Sequence, residues 1–505
     1  MFRYIWKNLR YLQIANNYRK VPKSIEKKFL RNLILIITLN LLIKPFWILG
    51  IDRAVQNVVG ASEYGFYFAV FNFSFLLNVL LDLGITNFNN RNIAQNNHLL
   101  TKHLPSLVTL KLVLAILYII ISSLFGFIIG YTWEQYRILV LLLASQFFVS
   151  FILYLRSNIS ALHLFKVDSF ISVLDRVLMI LICSVLLWGN LPIKFTIEWY
   201  IYAQLLGYFI TALITLAIVY KKAGANFFKL KWNYPFSLMI IKQSIPFAIL
   251  ILLMTFYNRI DSVMLERLLP NGDEQSGIYA SAYRLLDASN MIAFLFAGLL
   301  LPIFSKLIKE KARVSKLLKL AFVLIFILSF TVSVSCSNFS FDIMSLLYHE
   351  HVIASSEVFR IIMFCFIPIS ITYIFGTLLT ANGNLKELNI IAGSGMLVNI
   401  TLNLIFIPLY QSKGAAIVSL TTQSLTALAQ VIFCIKIFKL NINFKFLLSL
   451  LFYVFFVLTI IYTINTMPYL WIYKFAFITS ASLIAAFVLR LFKIKSVLDI
   501  IKKEK

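Results

Sequence analysis

Long apolar runs alternate with short polar connections along the whole chain, and about 14 of the runs reach the roughly 20 residues that a helix needs to cross a bilayer. They fall at residues 33–51, 64–85, 107–131, 138–162, 170–188, 199–220, 246–265, 278–304, 317–336, 359–380, 388–409, 415–438, 446–464 and 470–492. Runs of this length predict helices, because a helix satisfies its own backbone hydrogen bonds in hydrocarbon. Two of the hairpins carry charge inside apolar sequence. One closes on Asn258, Arg259 and Asp261 and reopens with Gly277, Tyr279, Arg284 and Asp287. The other has Lys44, Pro45, Asp52 and Arg53 ahead of Gly65 and Tyr67.

These hairpins belong to an internal repeat. A basic connection at 221–242 divides the first twelve predicted helices into two sets of six, and Ile51-Asp52 followed by Gly65-Phe66-Tyr67 is echoed by Ile260-Asp261 followed by Gly277-Ile278-Tyr279. Residues 154–168 loosely parallel 373–387. An even number of spans per set makes the repeat parallel, related by a pseudo-twofold along the membrane normal. The expected fold is therefore an all-α polytopic membrane protein of about 14 transmembrane helices, with two six-helix lobes around a central cavity and two further C-terminal helices. Its expected parts are a basic amphipathic segment (1–30), an N-lobe (31–220), a basic linker (221–242), a C-lobe (243–440) and helices 13 and 14 with a basic tail (441–505).

Composition agrees. The chain is 61% hydrophobic and 13% charged, outside the mix of a soluble domain. Its net charge of +26 sits mostly in the short connections 221–242 and 306–319 and in the 490–505 tail, with far less on the alternate loops. That asymmetry predicts both termini in the cytoplasm, and it argues against nucleic acid as a partner. The first segment carries Phe2, Ile5, Trp6, Leu9 and Leu12 at helical spacing among Lys and Arg, as a helix lying on anionic lipid does. The first apolar run is too long for a signal-peptide core and lacks a small-residue cleavage site, so no cleavable signal is expected. Cys183, Cys336, Cys365 and Cys434 stand singly in or beside apolar runs and read as small apolar fillers.

The candidate chemistry lies in polar stripes on apolar cylinders. Asn40 and Lys44, Asn78 and Asp82, and Thr255 and Arg259 are four apart, and Arg284 and Asp287 are three apart. A mid-helix Lys or Arg costs about 2.5 to 3.5 kcal/mol on insertion scales, so these stripes should face inward. One reading makes Lys44, Arg259 and Arg284 a cationic site for a diphosphate or other anionic headgroup, with Arg53 at its rim. The other makes the charges structural, Arg284 pairing with Asp287 and Arg259 with Asp261 or Asp52. Asp82, Asp261 and Asp287 are candidate charge partners or binders of a coupling proton or sodium ion. Adjacent Asp175 and Arg176 cannot share a helix face and each has a candidate partner on the fourth helix, where Arg156 lies, and His349-Glu350-His351 is a weak metal motif. Pro45 marks either a flexing point or a static kink. Phosphate loops, zinc-protease motifs and nucleophile elbows are absent from the sequence, so neither an enzyme nor a resident cofactor is expected.

Several phrases then carry a family resemblance. EYGFY (63–67), LLDLGI (80–85) and NRNIA (90–94) occur in the first half, and RID, GIYA and LPIFSK (301–306) in the second. TLLTANGNLK (377–386), VNITLNLIFIPLY (398–410) and KGAAIVSL (413–420) follow. Together they resemble the Wzx-type polysaccharide and O-antigen flippases of the multidrug/oligosaccharidyl-lipid/polysaccharide (MOP) exporter superfamily. The resemblance implies a V-shaped two-lobe bundle in the bacterial inner membrane that moves undecaprenyl-diphosphate-linked oligosaccharide by alternating access. It implies basic residues in the central cavity, and polysaccharide polymerase and chain-length proteins as partners. Helices 13 and 14 resemble those of the lipid II flippase branch, where a groove receives the lipid tail. Two alternatives remain: an ion-coupled multidrug antiporter of the same superfamily, which calls for acids and aromatics in the cavity, and a membrane glycosyltransferase or polymerase, which calls for a larger outer loop.

Overall fold

A computed structural model describes residues 38–489 and 491, apart from 41, 87–88, 90–92, 94–98, 163, 190–191, 193, 224–233 and 441–443. The expected amphipathic segment at 1–30 and the tail from 492 lie outside the described residues. Among the described residues the fold is all helical. The N-lobe holds α1 (42–59), α2 (Ala61–Leu76), α3 (Leu99–Ile128), α4 (Trp133–Ala161), α5 (Phe165–Trp188) and α6 (Ile197–Ala223). The C-lobe holds α7 (Tyr234–Leu268), α8 (Gly272–Lys309), α9 (Ser315–Asn338), α10 (Val352–Ala381), α11 (385–410) and α12 (412–438). The last two helices are α13 (Phe444–Asn465) and α14 (Trp471–Val488). Helices α6 and α7 extend into the segment read as a linker, ending at Ala223 and starting at Tyr234.

The separation of α11 from α12 rests on one residue. Leu385–Phe438 is 54 residues of helical hydrogen bonding, which if straight would run about 81 Å, far beyond the roughly 30 Å of a hydrocarbon core. Gln411 breaks it at φ 53°, ψ −136°. Gly414 makes the return possible, since a β-carbon there would stand 2.2 Å from the Phe406 carbonyl oxygen. With this hairpin opened into two spans, and with the irregular α1 and α2 counted, the described residues supply the fourteen helices expected.

Helix α1 is longer and less regular than its sequence suggests. Pro45 is followed by π-helical Trp47–Asp52 and then α-helical Arg53–Val59. Pro45 removes a backbone donor from this helix, and the π-turn follows it directly. Arg53 is therefore followed by more helix and is not a terminal rim residue. Its Nε is buried without a hydrogen-bond partner.

The lobes touch at both ends of the seam. Near the α1–α2 and α7–α8 turns, α2 and α8 meet glycine to glycine. A β-carbon on Gly65 would lie 1.8 Å from the Asp273 carbonyl oxygen, and one on Gly277 would lie 1.9 Å from that of Ala61. Around this contact Gln56 Nε2 donates to the Gly277 carbonyl at 2.9 Å, Asn57 Nδ2 to the Leu347 carbonyl at 2.9 Å, and Gln135 Nε2 to Glu266 Oε1 at 2.7 Å. Glu350, from the suspected metal motif, instead accepts the Ala61 N–H at 2.8 Å and so caps α2 from the opposite lobe. At the other end Gly84, at φ +82°, abuts Ser244 of α7, where a β-carbon would come within 2.6 Å.

Helices α13 and α14 pack as an appendix on α9. Tyr453, Val457, Ile478 and Ala486 join Val323, Ile327 and Phe330 in a separate core, and Tyr453 Oη shares a 2.8 Å hydrogen bond with Thr331. The contact between the lobes gives a first prediction. Gly277→Leu inserts atoms where none fit, an overpacking cost of about 1–3 kcal/mol or roughly 5- to 150-fold in the closed-to-open ratio. A disulfide between Asn57→Cys and Leu347→Cys should form readily in the parent chain and poorly with Gly277→Leu added. Equal yields would show that the glycine contact does not hold this end shut.

Candidate functional site

Two cavities along the seam carry the candidate charges. The first, of about 120 Å³, is lined by Lys44 and Trp47 of α1, Tyr67 of α2, Arg176 of α5, Tyr200, Gln204 and Tyr208 of α6, and Arg284 of α8, among others. Three cations and no acid line it. Aromatic rings fix its walls: Trp47 stacks on Tyr200 with ring centroids 5.8 Å apart, and Arg176 stands over Trp47 and Tyr208 at 5.5 and 5.6 Å. Gln204 Nε2 donates to Tyr67 Oη at 2.8 Å. Lys44 is half-buried and has no ion pair among the described residues.

The charge pairs are crossed relative to the structural alternative drawn from the sequence. Arg284 pairs with Asp52 of the other lobe, Nε to Oδ2 at 2.8 Å, and also donates to Tyr64 Oη at 3.0 Å. Tyr200 donates to the second oxygen of Asp52, and the Phe68 ring lies 5.0 Å from the guanidinium carbon. Arg259 pairs with Asp287 through two bonds, Nη1 to Oδ2 at 3.0 Å and Nη2 to Oδ1 at 3.3 Å, and sits against Phe75 and Tyr283. Arg284 and Asp287, three apart on one helix, open onto different neighbours and do not pair with each other. Arg156 pairs with Asp168 and not with Asp175, which leaves Arg176 only its adjacent Asp175 at 3.6 Å.

The second cavity, about 200 Å³, lies in the C-lobe and includes the Arg259–Asp287 pair, Asn290, Thr372, Tyr373 and Gln423 in its walls. Asp261 sits deeper, 1% exposed, and receives four neutral donors: Asn403 Nδ2 at 2.7 Å, Tyr279 Oη at 2.8 Å, Ser419 Oγ at 3.0 Å and Asn399 Nδ2 at 3.2 Å. Asp52, Asp82, Asp168, Asp175 and Asp287 each have a cationic partner, whereas Asp261 has none among the described residues. Asp82 lies outside both cavities. Lys111 reaches it at 2.5 Å and donates to Ser150 Oγ at 2.9 Å, while Thr86 donates to the same carboxylate. No group of three metal-ligating side chains occurs among the described residues.

The structure thus brings Lys44 and Arg284 to one cavity and Arg259 and Asp287 to the other, and it separates Arg53, Asp82 and Asp261 from both linings. Sequence reasoning missed Arg176 as a lining cation, the aromatic wall of Tyr200 and Tyr208, and Lys111. The available signal for Lys111 was a lone lysine within the third apolar run. For Arg176 it was the absence of an acid a full turn away.

Two six-helix lobes around a polar seam within a multi-pass bundle define a membrane protein of transporter architecture. Residues 29–308, more than half of the chain, match the family described as polysaccharide biosynthesis protein, and the chain belongs to that family. No curated protein matches the sequence. Among solved structures, the lipid II flippase MurJ in an inward closed conformation superposes with a TM-score of 0.68 at 15% identity, covering 90% of this chain and 99% of that one. An inward-facing multidrug resistance MATE family transporter of the MOP superfamily gives 0.61 at 14% identity, covering 81% and 98%. A MOP superfamily transporter from Pyrococcus furiosus Vc1 gives 0.57 at 16%, covering 83% and 97%. At these identities the likeness is one of fold, and it agrees with the superfamily expected from the sequence phrases.

The Asp82 cluster makes a stability prediction. Lys111 is 2% exposed, and removing one member of a buried pair leaves the other uncompensated at about 3–5 kcal/mol. Asp82→Asn, which strands the buried lysine, should lower thermal stability in detergent strongly, and the added change Lys111→Met should restore much of it. A single variant as stable as the parent would mean that the pair is solvated and Asp82 free to act otherwise.

Proposed function

We propose that the protein is a flippase that carries an undecaprenyl-diphosphate-linked oligosaccharide repeat unit across the bacterial inner membrane by alternating access, both termini being cytoplasmic. The observation that supports this most is the N-lobe cavity, in which Lys44, Arg176 and Arg284 converge with no acid in the lining. Guanidinium forks and an ammonium suit a diphosphate, which spreads its charge over several oxygens. A cationic drug would be repelled by the same lining, which disfavours the antiporter reading. The apolar groove between α13 and α14, lined by Phe452, Phe455, Phe456 and Phe477, offers hydrocarbon to a lipid tail.

In this reading the substrate competes with Asp52 for Arg284. The diphosphate enters beside Lys44 and Arg176, draws Arg284 off the carboxylate, and so weakens a bond that ties the lobes together. Ligand binding thereby has different free energies in the closed and open states, as any population shift requires. The coupling ion, a proton or sodium, is assigned to Asp261. The four neutral donors fill the acceptor positions of this carboxylate, so a proton or a metal cation enters as one of them turns away. Tyr279 links this group to α8, the helix that carries Arg284. Anionic lipids at the membrane surface and the polymerase and chain-length proteins of the same pathway complete the expected partners.

The test is surface polysaccharide in a null strain complemented with variants. Lys44→Ala combined with Arg176→Ala should reduce export by at least about a hundredfold, the scale of two lost charge-assisted hydrogen bonds, while the protein still accumulates in the membrane. Lys44→Arg should retain more export than Lys44→Ala. Full export by the double alanine variant would overturn the diphosphate assignment.

A further inference from the structure

A cleft of about 560 Å³, larger than either seam cavity, lies away from the seam where the turn between α8 and α9 meets the end of α12. Lys311, Arg313 and Lys439 are its charged side chains, and Ile308, Val314 and Phe438 give it apolar surface. No acid lines it, and none of the three cations has an ion pair among the described residues. The span of α8 ends at Lys309, that of α9 starts at Ser315 and that of α12 ends at Phe438. The cleft therefore sits at the depth of lipid headgroups, between hydrocarbon and water.

Two of the cations stand where the backbone turns left-handed, Lys311 at φ 53° and Lys439 at φ 48°. Each closes a helix with a bond pattern that ordinarily employs glycine at this position. The Ala312 N–H donates to the Leu307 carbonyl at 2.8 Å, and the Leu440 N–H to the Ile435 carbonyl at 3.1 Å. Lysine at both turns keeps charge on the cleft where the backbone alone favours its loss. The helix dipole does not require it, because Lys306, Lys309 and Lys436 already occupy the last turns of α8 and α12. Topology does not require it either: six basic residues against one acid between 306 and 319 set the sidedness of this loop wherever they point. Convergence of cations from two separate turns on one cleft is a further property. Beside it Lys319 of α9 stands 4.2 Å from the centroid of the Phe446 ring on α13, so the basic edge extends to the appendix.

We infer that this cleft binds the headgroup of an anionic phospholipid, with the phosphate among Lys311, Arg313 and Lys439 and the glycerol end of the tails against Val314 and Phe438. The apolar walls and the depth of the cleft favour a lipid phosphate over a free one, which gains nothing from Ile308, Val314 or Phe438. With both termini cytoplasmic, the lipid belongs to the cytoplasmic leaflet, where basic pockets between helices meet anionic headgroups; only the choice of leaflet rests on the proposed orientation. A bound headgroup joins the α8–α9 turn to the end of α12, next to the point at which α13 and α14 leave the C-lobe.

The experiment uses the full chain in neutral detergent, with native mass spectrometry counting bound lipid. The probes are dioleoyl phosphatidylglycerol and dioleoyl phosphatidylcholine, which share tails and a phosphate and differ in net charge, with sodium phosphate as a competitor. The readout is the ratio of the two apparent affinities within each variant, so that a general loss of fold affects both terms alike. The parent chain should prefer phosphatidylglycerol by at least about tenfold, each cation contributing about fivefold, the scale of one Lys or Arg near an anionic lipid surface. Lys311→Gly combined with Lys439→Gly should remove most of that preference while the left-handed turns, which suit glycine, keep both helix ends. Arg313→Gln should lower the ratio about fivefold, and Arg313→Lys should retain most of it. Lys316→Gln, on the same loop but outside the lining, should leave the ratio at its parent value. A parent ratio near one, a ratio that survives the double glycine variant, or a ratio lowered as much by Lys316→Gln overturns the site. Displacement of phosphatidylglycerol by sodium phosphate would make the cleft a free-anion site and overturn the lipid assignment. The flippase reading is tested by export and stands or falls apart from these ratios.

Discussion

A guanidinium in hydrocarbon must find an anion, and the fold is arranged around where Arg284 finds its own. It reaches across the seam to Asp52, so a buried ion pair at the centre of the molecule joins the two lobes that the proposed transport cycle separates. Taking such an ion out of water is repaid only where geometry and further hydrogen bonds are good, and Tyr64, Tyr200 and the Phe68 ring supply them. The π-turn of α1 ends on Asp52, and the Gly65–Gly277 contact brings α8 close enough to α2 for the reach. The same pair holds the lobes together and occupies one cation of the site.

The remaining charges follow from that arrangement. With Asp52 spent on Arg284, Asp287 is left to Arg259, and Lys44 and Arg176 face their cavity without a strong partner. Asp52 and Asp261 stand at equivalent places in the internal repeat but meet different surroundings, a cation from the other lobe in one case and four neutral donors within the same lobe in the other. The repeat thus supplies two carboxylates, and packing differentiates them into a structural latch and the group proposed to couple transport to an ion. The lobes are drawn together at both ends of the seam, glycine on glycine at one and Gly84 on the Ser244 side chain at the other.

Much of the fold was legible in the sequence, because twenty-residue apolar runs have few solutions in a bilayer. The repeat was visible in Ile51-Asp52 and Ile260-Asp261, and Gly65 and Gly277 were part of it, although their role as the point of closest lobe contact was not. Helix ends were less readable: α1 runs past Arg53 because a π-turn carries the chain beyond Pro45, and no local signal marks a π-turn. The site was half legible. Lys44, Arg259 and Arg284 stood out as cations in hydrocarbon, but which acid each meets depends on helix rotation and lobe packing, which no spacing along one helix encodes. Arg176 read as part of a charge network with the fourth helix, whereas Arg156 there pairs with Asp168 and Arg176 lines the cavity. Glu350 read as part of a metal motif because its true partner, the Ala61 N–H, is 289 residues away.

The central claim is that Asp52 and a lipid diphosphate compete for Arg284. Affinity of the reconstituted protein for undecaprenyl diphosphate, compared between the parent chain and Asp52→Asn, tests it most directly. The account predicts tighter binding by the variant, because the guanidinium is released from its carboxylate. Unchanged or weaker binding would contradict it and would make Arg284 a structural cation whose only partner is Asp52.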